Sequence, residues 1–313
     1  MTRLIIEAPG PLALVQGGPR VGLRHLGVPW AGAADALSLA LANRLVGNDS
    51  RTPGIEATFG GLRVRAEVPV SVAVTGAPAP LTINDRPGAC HETLTLAPGQ
   101  TLTLGTPPVG ARAYLAVSGG FALPDVLGSA STYTPARLGG LNGLALRAGD
   151  ALPLAAPRLA PPEKTPEILR PPITPSAILR TVPSAEFGAL TPDAARALFE
   201  RPFRVSTRSD RWGLRLEGPP LSVRTSSLPS GMVLPGTIQL PAGGEPILLG
   251  PDAQTTGGYP RIASVAVCDL HLAGQLRPGD TVRLARRDPA EATRTLRAKL
   301  RRWAAWCGTD WAR

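Results

Sequence analysis

The sequence predicts a mainly β protein built in two halves, and three observations carry that expectation. Among 313 residues there are 35 Gly and 35 Pro; long helices tolerate neither, whereas turn-rich β folds use both. Short runs of β-branched and aliphatic residues recur at regular spacing between Pro/Gly turns, as in a barrel or sandwich. The pattern Leu-Arg-x-Gly-Asp-x-φ-x-Leu, with φ apolar, occurs at 146–154 and again at 276–284. Each copy ends a β-rich half, which hints at two related barrels. Aromatic residues make up only 4% of the chain, so the cores must be filled by Leu, Val, Ala and Ile.

In the first half, strands are expected at 4–6 and 12–15, split by Pro9-Gly10-Pro11, and then a glycine-studded loop carries Arg24, His25 and Trp30. Residues 32–47 hold the best helix: Asp35 can cap its start, Leu37, Leu41 and Leu45 form a stripe, and Gly47 can end it. Asn43 sits off the centre of that stripe, at an edge from which its carboxamide can hydrogen-bond outward. Further strands are expected at 55–59, 62–65, 70–74, 81–83, 93–96, 101–104 and 113–117. Glu56 falls among apolar neighbours and reads either as an outward-facing strand residue or as a cleft acid.

Seven prolines between Ala155 and Ser176 mark a semi-rigid linker. The expected organisation is therefore an N-terminal barrel at 1–156, a linker at 157–176, a C-terminal barrel at 177–288 and a helix at 289–313. Beyond the linker a strand restarts at 177–182, and Thr191 and Pro192 open a short helix to Glu200. Strands at 203–207 and 214–216 flank the polar loop Ser209-Asp210-Arg211. In the tail, Ala292, Leu296, Leu300, Trp303 and Cys307 form one helical stripe opposite Arg294, Arg297, Lys299, Arg301 and Arg302. That reads as a docked helix with a solvated basic face, a partner-binding helix being the minor alternative.

The net charge of +10 invites a nucleic-acid role, but half of the excess lies between Arg286 and Arg313 and the rest is scattered. No zinc-finger spacing, RNA-binding aromatic motif or long basic run accompanies it, so no nucleic-acid partner is expected. Cys90, Cys268 and Cys307 form neither a CxxC nor a disulfide framework. No run approaches the ~20 apolar residues of a membrane span, and the N-terminus does not read as a signal peptide. A cytoplasmic protein without membrane attachment is the expectation. There is no GxxxxGK[ST] phosphate loop, HExxH or GxSxG, no metal site is expected, and neither Lys164 nor Lys299 sits in a biotin-carrier context. Cys90 and His91 are adjacent in a stretch read as strand, where neighbouring side chains point to opposite faces, so they make no dyad.

The most informative stretch is 250–260, a polar loop between two apolar runs. It gathers a carboxylate, a carboxamide, hydroxyls and a phenol around Gly257-Gly258, whose backbone amides no side chain covers. Such a loop on a rigid scaffold is either a tight hairpin with soluble residues or a grip for a small polar ligand. The string at 252–260 (DAQTTGGYP) resembles the hallmark of a family known as the C-type subunit of 5-oxoprolinase, biotin-dependent carboxyltransferase, allophanate hydrolase subunit 2 and KipA. The segments 24–29 (RHLGVP), 41–48 (LANRLVGN), 128–133 (GSASTY), 209–216 (SDRWGLRL) and 236–239 (GTIQ) agree with it in order. The chain departs from the family at Trp212-Gly213-Leu214 and at 29–35, where a hydroxyl is lost.

The resemblance implies two cyclophilin-like β-barrels working with a B-type (KipI-like) protein and a third subunit. The implied activity is opening of the lactam of 5-oxo-L-proline to glutamate, with ATP used by the complex and no cofactor held tightly by this chain. The alternatives are carboxyl transfer to urea, with biotin on a partner, or a KipA-like regulatory module that antagonises a kinase-inhibitor partner. A small amide substrate must be held by directional hydrogen bonds while an oxyanion develops. On that footing Asp252 and Asp210 are the candidate acid/base groups and Arg211 the candidate charge-neutralising catalytic residue. Gln254, Thr255, Thr256, Gly257, Gly258, Tyr259 and Arg215 are candidate ligand contacts, with Asp35, Asn43, Glu56, Ser131 and Tyr133 expected on an opposing wall. For each of these a loop-bracing role is the alternative.

Overall fold

A computed structural model describes residues 2–224 and 227–312; Met1 and Arg313, the outer bounds of the expected first and last segments, lie outside the described residues. The chain divides into two compact units. One comprises Met1–Arg20, Ala31–Ile173 and Leu300–Arg313, the other Val21–Trp30 and Thr174–Lys299. The proline-rich stretch thus belongs to the first unit up to Ile173, and a loop from the N-terminal half belongs to the second.

The first unit begins with β1 (Arg3–Pro9), β2 (Leu12–Gln16), helix α1 (Ala36–Leu45), β3 (Gly54–Thr58), β4 (Leu62–Ala66) and β5 (Val70–Gly76). It continues through β6 (Leu81–Ile83), β7 (Arg86–Gly88), β8 (Thr93–Leu96), β9 (Thr101–Leu104), β10 (Arg112–Val117) and β11 (Ala151–Pro153). These strands form two sheets, ordered β11-β1-β4-β9-β6-β7 and β2-β3-β10-β5-β8. Alternate residues of both, among them Leu4, Ile6, Val64 and Leu102 from one and Val15, Ile55, Val72 and Leu115 from the other, meet in one core.

Helix α1 forms as its sequence dictates. The Asp35 carboxylate accepts the Ser38 N–H at 2.9 Å, capping the first turn. Its apolar residues are buried on two faces. Ala42 and Leu45 pack with Ala73 of β5 and Ala116 of β10, and Leu37 and Leu41 pack with Trp303, Cys307 and Trp311.

The second unit runs β12 (Ser176–Pro183), α2 (Pro192–Glu200), β13 (Phe203–Val205), β14 (Gly213–Glu217), β15 (Gly231–Met232) and β16 (Thr237–Gln239). There follow β17 (Ile247–Leu249), β18 (Thr256–Gly257), β19 (Arg261–Val265), the short α3 (Leu270–Ala273), β20 (Thr281–Arg286) and α4 (Pro289–Cys307), whose residues from Leu300 onward belong to the first unit. Seven strands close a barrel in the order β12-β19-β16-β17-β14-β13-β20, and the ring is completed by parallel pairing of β20 with β12. A separate ribbon pairs β15 with β18, Gly231 facing Gly257. The mainly β class therefore holds, with one closed barrel and one pair of sheets.

The sequence repeat is a structural repeat. In the first copy the Asp150 carboxylate accepts the Arg147 N–H at 2.7 Å, and in the second Asp280 accepts the Arg277 N–H at 3.0 Å. Gly149 and Gly279 take φ of 90° and 93°, a left-handed region open to glycine. Each turn then docks on a neighbouring strand through two backbone bonds. Gly149 donates to Ile6 O and Asp150 O accepts from Ile6 N; Gly279 donates to Val205 O and Asp280 O accepts from Val205 N. Each turn feeds the last strand of its unit's sheet, β11 and β20.

The expectation of a strand at Cys90-His91 changes. Cys90 and His91 lie in a turn rather than a strand, and His91 has a φ of 65°. The Cys90 thiol stands 3.5 Å from the Ala79 carbonyl oxygen. Among the described residues no helix is long and apolar enough to cross a membrane.

Candidate functional site

In the second unit, the loop between β17 and β19 is held by an internal frame. Arg211 donates to both oxygens of Asp252, Nε to Oδ2 and Nη2 to Oδ1, each at 2.8 Å, with both side chains 6% exposed. This is the fork-to-fork geometry a guanidinium and a carboxylate prefer. Backbone bonds reinforce it: Asp252 N donates to Arg211 O at 3.2 Å, and Gly250 N donates to Trp212 O at 2.8 Å. Asp210 is exposed and folds back on its own loop, accepting the N–H groups of Trp212 and Gly213. Arg215 is exposed on β14.

Gln239, buried on β16, organises the next part of the loop. Its Oε1 accepts from Gln254 Nε2 at 3.2 Å and its Nε2 donates to Tyr259 O at 3.4 Å. A Cβ on Gly257 would lie 2.6 Å from Gln239 Nε2, so a side chain there would displace the Gln239 carboxamide from its bonds. Asp252 and Gln254 are thereby turned inward as braces. Thr256 and the Tyr259 ring remain exposed, with Thr255, Gly257 and Gly258 at the margin.

Gly257 and Tyr259 of this loop line a pocket of about 180 Å³ together with Glu186, Leu228, Pro229, Gly231 and Arg261. Two of its members, Gly257 and Tyr259, are among the residues expected from sequence. Glu186 and Arg261 are not, because nothing local in either segment announces the other. Arg261 Nε donates to Glu186 Oε2 at 2.8 Å, Nη2 bonds Glu186 Oε1, and Nη1 reaches Met232 O at 3.0 Å. The Arg261 hydrogen bond holds the Glu186 carboxyl below its usual range. The pocket thus presents a phenol, a charge-compensated guanidinium and backbone at two glycines, beside an apolar Leu-Pro edge. That set can orient a small, planar, polar molecule.

The first-unit candidates are brought together in part, and deeply. Glu56 is fully buried; its Oε2 accepts the Ala34 N–H at 3.0 Å and the Tyr114 hydroxyl at 2.8 Å, while Oε1 stands 3.3 Å from Arg112 Nε. The Tyr114 oxygen in turn accepts the Asp35 N–H at 2.7 Å. Burial pushes the Tyr114 phenol well above its ordinary range, with Glu56 and Asp35 adding to the effect. Asp35 and Glu56 therefore share one network across 31–36. Asn43, also fully buried, donates to Thr52 O at 2.8 Å and accepts from Asn48. Ser131 accepts the Gly17 N–H at 2.8 Å and donates to Gly18 O at 3.0 Å, and Tyr133 is buried in the following turn. The polar side chains of Asp35, Glu56, Asn43 and Ser131 each have their bonds satisfied within the unit.

Among the described residues no group of three or more His, Cys, Asp or Glu is placed to hold a metal ion.

Known proteins share this architecture. The family model described as carboxyltransferase domain, subdomain A and B, matches residues 26–286. The chain is 36% identical over 300 residues to the C-type subunit of the 5-oxoprolinase of Escherichia coli, covering 95% of each chain. It is 34% identical over 300 residues to the urea amidolyase of Saccharomyces cerevisiae, covering 90% of this chain and 16% of that one. Among solved structures, the Kluyveromyces lactis urea carboxylase superposes with a TM-score of 0.91 at 28% identity, over 98% of this chain and 29% of that one. The chain therefore spans the length of the Escherichia coli relative but a minor part of the two multidomain enzymes.

Proposed function

The chain belongs to the carboxyltransferase-domain family of subdomains A and B, and from that premise we propose that it is one subunit of an ATP-dependent 5-oxoprolinase complex. The observation that carries this reading is the reciprocal coverage: 95% of this chain against 95% of the Escherichia coli 5-oxoprolinase relative. In the proposed reaction the complex opens the lactam of 5-oxo-L-proline to L-glutamate, and the chain acts together with a B-type (KipI-like) protein and a third subunit. Its part is to hold the planar amide. The Tyr259 phenol and the Gly258 amide are the proposed hydrogen-bonding groups, Gly257 being paired with Gly231, and Arg261 is the proposed cation at the rim. Positioning of this kind lowers the barrier by fixing the amide and by placing donors where negative charge develops. Asp252 and Arg211 act by holding the loop. Asp35, Asn43, Glu56 and Ser131 brace the loops of the first unit. The pocket of about 180 Å³, with its arginine already matched to Glu186, suits a small amide better than a nucleoside triphosphate, so nucleotide binding is assigned to a partner protein.

A second reading, carboxyl transfer from biotin carried on a partner, is favoured by the fold match of TM-score 0.91 to urea carboxylase. Reconstitution with the candidate partner proteins separates the two. Glutamate released from 5-oxo-L-proline with ATP alone supports the first reading. Turnover that instead demands urea, bicarbonate and a biotinylated protein overturns it in favour of the second.

A further inference from the structure

Arg24 reverses the pattern of its own loop. From Val21 to Val28 all the remaining residues are exposed or half-buried, yet Arg24, the most strongly hydrated side chain of the run, is 9% exposed. Its Nη2 donates to Val233 O and to Gln254 O, both at 2.7 Å, and its guanidinium lies 5.7 Å from the centre of the Trp30 ring. Nε and Nη1 are buried with no hydrogen-bond partner, and no carboxylate pairs with the group among the described residues. The other buried arginine of this unit, Arg211, is fully matched by Asp252. Burial alone lowers the basicity of Arg24, with no opposing negative charge to restore it.

A buried cation with unmatched donors is among the more costly features a fold can carry unless an anion completes it. Arg24 is anchored on segments that also reach the pocket described above. The segment 231–233 supplies both a pocket wall, Gly231, and an anchor for Arg24, Val233; the other anchor, Gln254, is three residues before Gly257 of the pocket.

We infer that Arg24 is the receptor for a small carboxylate, bound through the N–H groups left on Nε and Nη1. Two carbonyl oxygens already press partial negative charge on Nη2. The residual field therefore matches a monoanion better than a phosphate dianion. Arg24 opens a short 3-10 turn to Leu26 that Gly27 closes with φ of 81°, its N–H donating to Arg24 O at 2.9 Å, and a Cβ on Gly22 or Gly27 would meet nothing within 4 Å. Insofar as the carboxylate is that of 5-oxo-L-proline, the inference rests on the 5-oxoprolinase reading; as a carboxylate site it does not.

The test uses the full chain with ¹⁵N-labelled arginine, following the Nε–H resonance assigned to Arg24 by its loss in Arg24→Lys or, should that variant fold poorly, Arg24→Gln. Sodium acetate and 5-oxo-L-proline are expected to move that resonance saturably, and 2-pyrrolidinone, the same lactam without its carboxylate, to leave it in place. Inorganic phosphate is expected to bind about tenfold or more weakly than acetate. No response to either carboxylate overturns the proposal, even where the reconstituted complex releases glutamate. So does an equal response to sodium chloride, which marks mere screening, or a tighter response to phosphate. A response to acetate but not to 5-oxo-L-proline upholds the carboxylate site and overturns its assignment to that substrate.

Discussion

Arg211 and Asp252, 41 residues apart, meet edge to edge through two bonds of 2.8 Å in a place where each is 6% exposed. The pair ties the loop before β14 to the loop after β17, so whatever the second loop presents is presented against a fixed support.

Removing either partner leaves the other charge buried and unpaired. Arg211→Ala or Asp252→Ala is expected to cost about 3–5 kcal/mol in urea denaturation. Arg211→Met with Asp252→Leu is expected to recover much of that loss, because the desolvation penalty goes with the charges. Additive losses in the double variant would contradict a coupled pair.

Gly250 is needed for closeness rather than for flexibility. A Cβ there would lie 2.3 Å from Arg211 O, a backbone atom that cannot rotate away. Gly250→Ala is expected to destabilise the chain by about 1–3 kcal/mol. In heteronuclear NMR the largest shift changes should fall at Arg211 and Asp252.

Acid is expected to weaken the fold through two buried histidines. Burial pushes His91 down to about 4 and His271 down to about 3. An unfolded histidine titrates near about 6.5, so below that pH the unfolded chain binds protons the folded one refuses. The stability contribution is complete above about pH 6.5 and is lost progressively as pH falls towards the folded values. Urea midpoints measured from pH 7 to pH 5 should fall, and His91→Asn with His271→Gln should flatten the slope.

Tyr259 tests the pocket with little disturbance of the fold, since the residue is 47% exposed. Tyr259→Phe is expected to leave the unfolding free energy within about 0.5 kcal/mol. Turnover in the reconstituted complex should drop about three- to tenfold, the loss of one neutral hydrogen bond. Unchanged turnover would remove the phenol from the ligand's contacts.

Much of the scaffold is legible in the sequence because its signals are local. Asp35 before Leu37, and Thr191-Pro192 before Ala194, are capping signatures whose partners lie three residues away, and both caps form as read. The tail stripe of Leu300, Trp303 and Cys307 packs inward, since helical spacing alone decides it. Lys299 leaves the solvated face assigned to it and bonds Asp269 at 2.8 Å, a partner 30 residues away that no periodicity reveals. Glu56 and Asn43 show the same limit. Each reads as an edge or cleft group, and each is buried because its partners, Tyr114 and Thr52, come from elsewhere. In the candidate site the glycines and Tyr259 stand out as one compact string. Arg24, Glu186 and Arg261 do not, because three distant segments create their setting.

Under the proposed function, the chain is needed to couple lactam opening to ATP hydrolysis. The direct measurement follows glutamate and inorganic phosphate together in a mixture of the partner proteins, 5-oxo-L-proline and ATP, with and without this chain. The account predicts that glutamate appears only when the chain is present, in step with phosphate. Equal glutamate release without the chain, or phosphate release with no glutamate in the complete mixture, would contradict it.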